Sequence, residues 1–286
     1  MLEQAILPVV ATGRDGSFRP VGTCWIFSIA DDGQDAWAFS AAHVFQEVVR
    51  SEGRHERSAS STPDILRRSQ SRPVALQFTY LNAIYRSGLE KLEFVKLLTV
   101  YRDDSVDVAV CHLMFPPDSG MRFSRKLAIH SGPVAPGTKV AAVGFSGMGK
   151  SDSSPPFATL HKRLTFEHGE CVEYFPQHAP PQSQPPCFKI DVSTEHGMSG
   201  GPILHKGYGD ELVGCGVISR GTSFGGAEST IASALWPVYS FSIPNIVDGN
   251  DAPLSLLDLA RIGDISDKAN GPEHFRFVGS NGITWV

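Results

Sequence analysis

The chain has 286 residues, 41% of them apolar, with 28 glycines, 20 prolines and a formal charge of −5. That length can hold one large or two small cores, and the glycine and proline content suits a turn-rich β fold. So mild a charge gives no field strong enough to argue for nucleic acid or an anionic membrane as the main partner and directs attention to individual sites.

The opening segment MLEQAILPVVATG carries Glu3 and no basic residue, and Pro8 interrupts its apolar run. It fails as a secretory signal or a membrane span, so a soluble, cytoplasmic protein is expected. Short apolar runs come next: CWIFSIA from Cys24 and AWAFSAA from Ala36, each bounded by turn residues. The second run leads into His43 after Ser40, Ala41 and Ala42, small side chains that leave an imidazole accessible. Residues 51–73 are rich in serine and arginine and read as a solvated insertion, with a docking or regulatory segment as the sharper alternative. Beyond it, PVALQFTYL and FVKLLTVY are strand-like, and DDSVDVAVCHL sets Asp107 at the head of another strand, with Asp103 and Asp104 as weaker candidates in the turn before it.

The stretch VAAVGFSGMGKSD fits the phosphate-loop pattern through Gly144, Gly149, Lys150 and Ser151. A working phosphate loop joins a strand to a helix whose first amides hold the phosphates, and Pro155 and Pro156 forbid that helix. We therefore expect a strand running into a glycine-rich turn, with Gly144 serving the turn and Lys150 in solvent. A phosphate-loop nucleotide hydrolase stands as the disfavoured alternative.

Residues 176–187 form a proline-rich surface connector before the strand CFKIDVS. Then comes GMSGGP, in which Ser199 is flanked by Gly197, Gly200 and Gly201. Such a backbone can turn sharply and aim consecutive amides at one point, as an acyl-transfer nucleophile requires; a glycine-rich hairpin turn is the plain alternative. After the strand ELVGCGVISRG, the segment APLSLLDLARIGDI predicts one amphipathic helix behind a first-turn Pro253, and HFRFVGSNGITWV predicts a hairpin turning at Asn281 and Gly282. Eight or more short strands and almost no other helical periodicity indicate an antiparallel barrel or sandwich.

Cys24, Cys111, Cys171, Cys187 and Cys215 are odd in number and lack any C-x-x-C, which argues against a disulfide framework or a zinc knuckle and for buried thiols in a reducing compartment. Histidines other than His43 show no ligand spacing, so no metal site is expected, although His196 stands close to Ser199 in sequence.

Three of these segments together resemble the trypsin-like serine peptidases. SAAHV is similar to that family's T-A-A-H segment, DVAV to its D-I-A-L segment, GMSGGP to its G-D/N-S-G-G-P signature, and GVISRG to the strand after that signature. The resemblance covers about residues 5 to 245 and implies an all-β fold of two antiparallel six-stranded β-barrels, chymotrypsin-like, with a C-terminal helix and terminal hairpin added. The expected division is an N-terminal barrel over 1–120, a C-terminal barrel over 121–248 and an extension over 249–286. Implied roles are Ser199 as nucleophile, His43 as general base and then acid, Asp107 as the group orienting the imidazole, and the amides of Gly197 and Ser199 as the oxyanion hole.

Departures are informative too. Met198 stands where extracellular members carry the aspartate that receives a new N-terminus, so activation by that salt bridge is not expected. Val44 replaces the cysteine that usually follows the histidine. For substrate binding the resemblance points to Ser193 at the pocket base, with Ser219, Arg220 and Gly221 along the edge; lacking an acidic base, the pocket is expected to take a small or apolar side chain, with Arg220 either attracting an acidic one or obstructing the pocket. The expected protein is thus a cofactor-independent serine endopeptidase acting on protein or peptide substrates, without nucleic-acid or membrane partners. Insertion 51–73 or segment 249–286 would gate the site or dock a regulatory protein. An idle peptide-binding module on the same fold is the alternative from another class.

Overall fold

The structure is a computed structural model that describes residues 2–13, 18–51, 74–87, 91–103, 105–150, 160–181, 183–207, 211–224, 227–244, 253–268, 275–278 and 282–285. The Ser/Arg-rich insertion beyond Ser51 lies outside the described residues.

Seven strands build the first barrel: β1 (Ile6–Thr12), β2 (Phe18–Ile29), β3 (Asp35–Ser40), β4 (Val74–Gln77), β5 (Leu81–Ser87), β6 (Lys91–Asp103) and β7 (Val108–Met114). Six of them close in the order β6-β5-β1-β2-β3-β7, with β7 returning to pair with β6, while β4 flanks β6 along Thr99–Arg102. Closure leaves no open edge except the short flanking strand. The second barrel repeats this plan with β8 (Ala128–Ile129), β9 (Lys139–Lys150), β10 (Leu160–Phe175), β11 (Cys187–Ile190), β12 (Pro202–Lys206), β13 (Leu212–Phe224) and β14 (Ala227–Ala234). Here the ring is β12-β9-β10-β11-β14-β13 and back to β12, and β8 joins β13 in parallel.

Strand β2 shows why the barrels meet. Its residues 22–28 are buried almost without a break, because one face fills its own barrel and the other faces the second barrel. At that face a Cβ on Gly214 would lie 2.5 Å from the Trp25 ring, so glycine is what lets β13 approach the indole. Phe145, Leu204 and Val217 of the second barrel belong to the same apolar core as Trp25, Phe39 and Val108 of the first, while Ile190, Met198, Cys215 and Ile218 fill a separate core inside the second barrel.

Several elements differ from the sequence reading. The stretch Lys139–Lys150 is a single antiparallel strand, not a strand and a turn: Gly144 pairs with Thr165 and Lys150 with Leu160. Amides committed to a ladder cannot wrap a phosphate; residues 151–159 and the Lys150 side chain lie outside the described part of the chain. A ten-residue helix, α1 (Ala42–Ser51), carries His43 in its first turn, so His43 stands beyond the strand rather than at its end. Its apolar stripe of Val44, Phe45 and Val48 is buried, a short period that the neighbouring strands obscure in sequence. The C-terminal helix α2 (Leu256–Arg261) begins behind Ser255, not Pro253. The Ser255 hydroxyl accepts the amide of Asp258 and the Asp258 carboxylate accepts the amide of Ser255, a capping box that sets the start. Pro253 instead begins β16 (Pro253–Ser255), which pairs with β15 (Ser242–Pro244). Leu256, Leu257 and Leu259 are buried in the core shared with the first barrel. The terminal hairpin is present as β17 (Phe275–Val278) and β18 (Gly282–Trp285), but Gly282 opens the second strand opposite Val278 rather than forming the turn, and Asn281 lies outside the described residues.

Candidate active site

His43 and Asp107 meet where α1 begins and β7 is about to begin. The Asp107 carboxylate takes the backbone amide of His43 at 2.9 Å through Oδ1 and its ring nitrogen Nδ1 at 2.9 Å through Oδ2. An ionised carboxylate only accepts, so Nδ1 carries the hydrogen and Nε2 carries the basic lone pair. The amide is one of the first-turn donors that a helix cannot satisfy internally, so the same carboxylate fixes both the helix start and the ring. A third donor is the Ser219 hydroxyl, which bonds Oδ2.

Two backbone features make this convergence possible. Asp107 is the one non-glycine residue with positive φ among the described residues, at 45°, in the tight turn before β7. Such a conformation costs a residue with a Cβ on the order of 1–2 kcal/mol and is held here by three donors. Ser219 sits at a β-bulge, between Ile218 opposite Ala232 and Arg220 opposite Ile231, and the extra residue turns its side chain out of the ladder toward Asp107. The Ser219 side chain is thus committed to the carboxylate, a role that sequence reasoning did not assign.

Ser199 lies on the turn between β11 and β12 and is half-buried. Its carbonyl accepts the amide of Thr23 at 2.8 Å. Next to it, a Cβ on Gly22 would lie 2.9 Å from the Ser199 carbonyl and 2.9 Å from Cγ2 of Val44, so the serine backbone and the residue after His43 press on the same glycine. Gly200, with φ of 88°, leaves no room for a Cβ against the Thr23 carbonyl and the Ser40 hydroxyl. The Ser199 turn is therefore seated directly on the end of β3 that leads to His43.

Thr23 holds this seat. It is fully buried, its hydroxyl donates to the Gly197 carbonyl at 2.9 Å, and it accepts the Phe145 amide at 3.0 Å. The Ser40 hydroxyl in turn donates to the Thr23 carbonyl at 2.7 Å. One side chain from the first barrel thus ties together β9 and the turn before Ser199. Nothing in the sequence signals this, because the three partners are distant along the chain and a threonine in a strand is ordinary.

Met198 anchors the turn from the other side. It is fully buried in the second barrel, its Sδ accepts the Glu195 amide at 3.4 Å, and a Cβ on Gly144 would come within 2.8 Å of its Cα. Gly144 therefore serves close approach to the turn of Ser199 rather than a turn of its own. The amides of Met198, Gly200 and Gly201 donate to the carbonyls of Glu195, Ile218 and Met198. Those of Gly197 and Ser199 donate to no acceptor among the described residues, so two amide hydrogens remain available at the turn.

The other expected residues are at the surface. Ser193, Arg220 and Gly221 are exposed, and His196 is exposed beside the turn. From Ser219 onward β13 pairs only with β14, since β12 ends opposite Val217, so its second edge carries no strand among the described residues. Arg163 and Glu195 form an exposed ion pair at 3.0 Å. No group of three or more His, Cys, Asp or Glu among the described residues is placed to hold a metal. Among them, too, no helix is long and apolar enough to cross a membrane.

Two closed six-stranded barrels with a carboxylate-bound histidine on one and a glycine-flanked serine turn on the other define a chymotrypsin-like protein. The model of the trypsin-like peptidase domain matches residues 22–214, more than half of the chain, and the chain belongs to that family. It is therefore a peptidase-family hydrolase in class. Among solved structures, the crystal structure of the Rv3671c protease in its inactive form is similar over 82% of this chain and 84% of that one, at 17% identity and a TM-score of 0.43. No curated protein matches the chain.

Proposed function

We propose that the chain is a serine endopeptidase that cleaves peptide bonds through an acyl-enzyme, with Ser199, His43 and Asp107 as its triad. The observation that supports this reading best is the Asp107 carboxylate, which accepts His43 Nδ1 at 2.9 Å while bonded also by the His43 amide and the Ser219 hydroxyl. That arrangement leaves Nε2 as the base and stabilises the imidazolium formed when it takes a proton.

In the proposed reaction an extended substrate adds to the second edge of β13 at Ser219–Gly221. The Ser199 hydroxyl oxygen attacks the carbonyl carbon while His43 Nε2 takes the hydroxyl proton. The resulting oxyanion is stabilised by the amides of Gly197 and Ser199, each of which typically contributes about 3 kcal/mol in such a site. The C–N bond then breaks, His43 passes its proton to the leaving amine, and an ester remains on Ser199. Water attacks that ester with His43 again as base, releasing the acid and restoring the serine. No step needs a cofactor.

A regulated, cytoplasmic setting belongs to the same proposal. All five cysteines are free thiols and buried, as suits a reducing compartment. A gate formed by the C-terminal segment is less favoured than one formed by insertion 51–73, because α2 is part of the core and its release would disrupt the fold. The test of catalysis is labelling with a fluorophosphonate followed by intact mass. One adduct on the wild type and none on Ser199→Ala is the expected result; an unlabelled wild type would overturn the reading in favour of an idle binding module.

A further inference from the structure

Two methionines belong to the Ser199 turn or touch it, and they differ in exposure. Met198 is fully buried in the second barrel, whereas Met148 is half-buried near the end of β9. A β-bulge aims Met148: between Ser146 opposite Arg163 and Gly149 opposite His161, β9 has two residues where β10 has one. The first of the two is Gly147, with φ of 59°, the left-handed glycine that such a bulge takes. The second is Met148, whose side chain packs on the core shared by the barrels and reaches the serine turn. A Cβ on Gly197 would lie 3.2 Å from Cε of Met148 and 2.7 Å from the Phe145 carbonyl oxygen. The thioether methyl therefore lies against the bare α-carbon of Gly197, one bond from an amide that donates to no acceptor among the described residues.

The other sulfurs among the described residues are shielded or remote. All five thiols are buried, and burial pushes them up, away from the thiolate form that peroxides attack. Met114 closes β7, at the opposite end of that strand from Asp107. Met121 sits by Gln34, near the start of β3 rather than its Ser40 end. Met148 is thus the sulfur that combines solvent contact with a place beside the serine turn.

We propose that Met148 is a site of reversible oxidation, and that its sulfoxide slows the enzyme; this rests on the reading of Ser199 as nucleophile and of the Gly197 amide as an oxyanion donor. Hydrogen peroxide is the oxidant. Its O–O bond breaks, one oxygen bonds to the Met148 sulfur through a sulfur lone pair, and the other leaves as water. A thioether is a weak acceptor and leaves the Gly197 amide to the substrate, whereas a sulfoxide oxygen accepts well. Beside Gly197 that oxygen competes with the developing oxyanion for the amide hydrogen, and it puts a polar group where an apolar methyl was packed. Methionine sulfoxide reductase with a dithiol supplies two electrons, removes the oxygen as water and restores the thioether.

The test treats wild type, Ser199→Ala and Met148→Leu with hydrogen peroxide, maps the oxidised residues by peptide mass, and measures the fluorophosphonate labelling rate before and after. Met148 should gain one oxygen ahead of Met198 in both wild type and Ser199→Ala. Labelling of the oxidised wild type should slow about tenfold or more, short of the roughly 10²–10³ lost with a whole oxyanion donor, because the oxyanion can displace the sulfoxide. Treatment with the reductase should restore the rate. Met148→Leu nearly keeps the volume and has no sulfur there, so its rate after peroxide should match its own rate before. Met148→Gln, with a carbonyl oxygen on a side chain of similar length, should label slowly without any peroxide. Labelling that is unchanged once Met148 carries its oxygen overturns the switch alone, as does an equal loss in Met148→Leu. Oxidation of Met198 ahead of Met148 overturns the exposure on which the switch stands. Absence of labelling before peroxide overturns the nucleophile reading and the switch with it.

Discussion

Replacing Thr23 by valine removes one hydroxyl from the contact between the barrels and changes little else. Valine keeps the shape, and the backbone bonds of residue 23, donating to Ser199 and accepting from Ser40, survive the substitution. The losses are the donor to the Gly197 carbonyl and the acceptor for the Phe145 amide, both in buried surroundings. A buried polar group left unpaired costs about 1–3 kcal/mol, so two such groups amount to about 2–6 kcal/mol. At about 2 °C per kcal/mol for a chain of this size, Tm should fall by about 4–12 °C. Because Gly197 carries one of the two available amides beside Ser199, labelling by a fluorophosphonate should slow as well, by about tenfold or more at a temperature where the variant is folded. Thr23→Ser, which keeps the hydroxyl, should recover most of both losses. The assays are urea and thermal unfolding and the labelling rate by intact mass. A Thr23→Val protein within about 0.5 kcal/mol of the wild type and labelled at the same rate would refute the role given to this hydroxyl.

Asp107→Asn should leave the protein folded and reduce peptide hydrolysis by on the order of 10³–10⁴, since the NH2 that replaces one carboxylate oxygen donates and cannot accept, so either the His43 backbone amide or its Nδ1–H loses its acceptor and control of the tautomer is lost; steady-state kinetics against Ser219→Ala, with a smaller loss, checks the order. Stability should fall on acidification for a definable reason: His130 and His205 meet edge to face at 4.7 Å, and burial pushes both imidazoles below their ordinary value, His205 further so by His130. A depressed folded-state value means that the unfolded chain binds more protons below about 6.5, so this stability is present above that pH and lost beneath it. The urea midpoint should drop between about pH 7.5 and 5.5, and less so in His205→Gln. Finally, burial raises Cys24 and Cys187 to about 12 and Cys171 to about 11, with Cys111 and Cys215 also pushed up. Thiol titration at about pH 8 should therefore find the native protein nearly inert and five thiols reactive after denaturation.

The amino-acid order alone carried the all-β class, the two-barrel resemblance and the three short segments around His43, Asp107 and Ser199. These are local signals: period-two apolar runs, turn residues between them, and glycines where the chain must bend sharply. Helix α1 was missed because its stripe of Val44, Phe45 and Val48 is short and comes directly after a strand of similar composition. The start of α2 was misplaced because a proline at 253 is a weaker marker than the serine and aspartate that cap the helix at 255 and 258.

Only the tertiary structure decided what each side chain near Ser199 is bonded to. Gly22 and Thr23, Met198 against Gly144, and the bulge that delivers Ser219 to Asp107 all join residues far apart in the chain, so no window of sequence contains both partners. Sequence shows which residue types could do the chemistry, and folding sets which of their hydrogens and lone pairs are left to do it with.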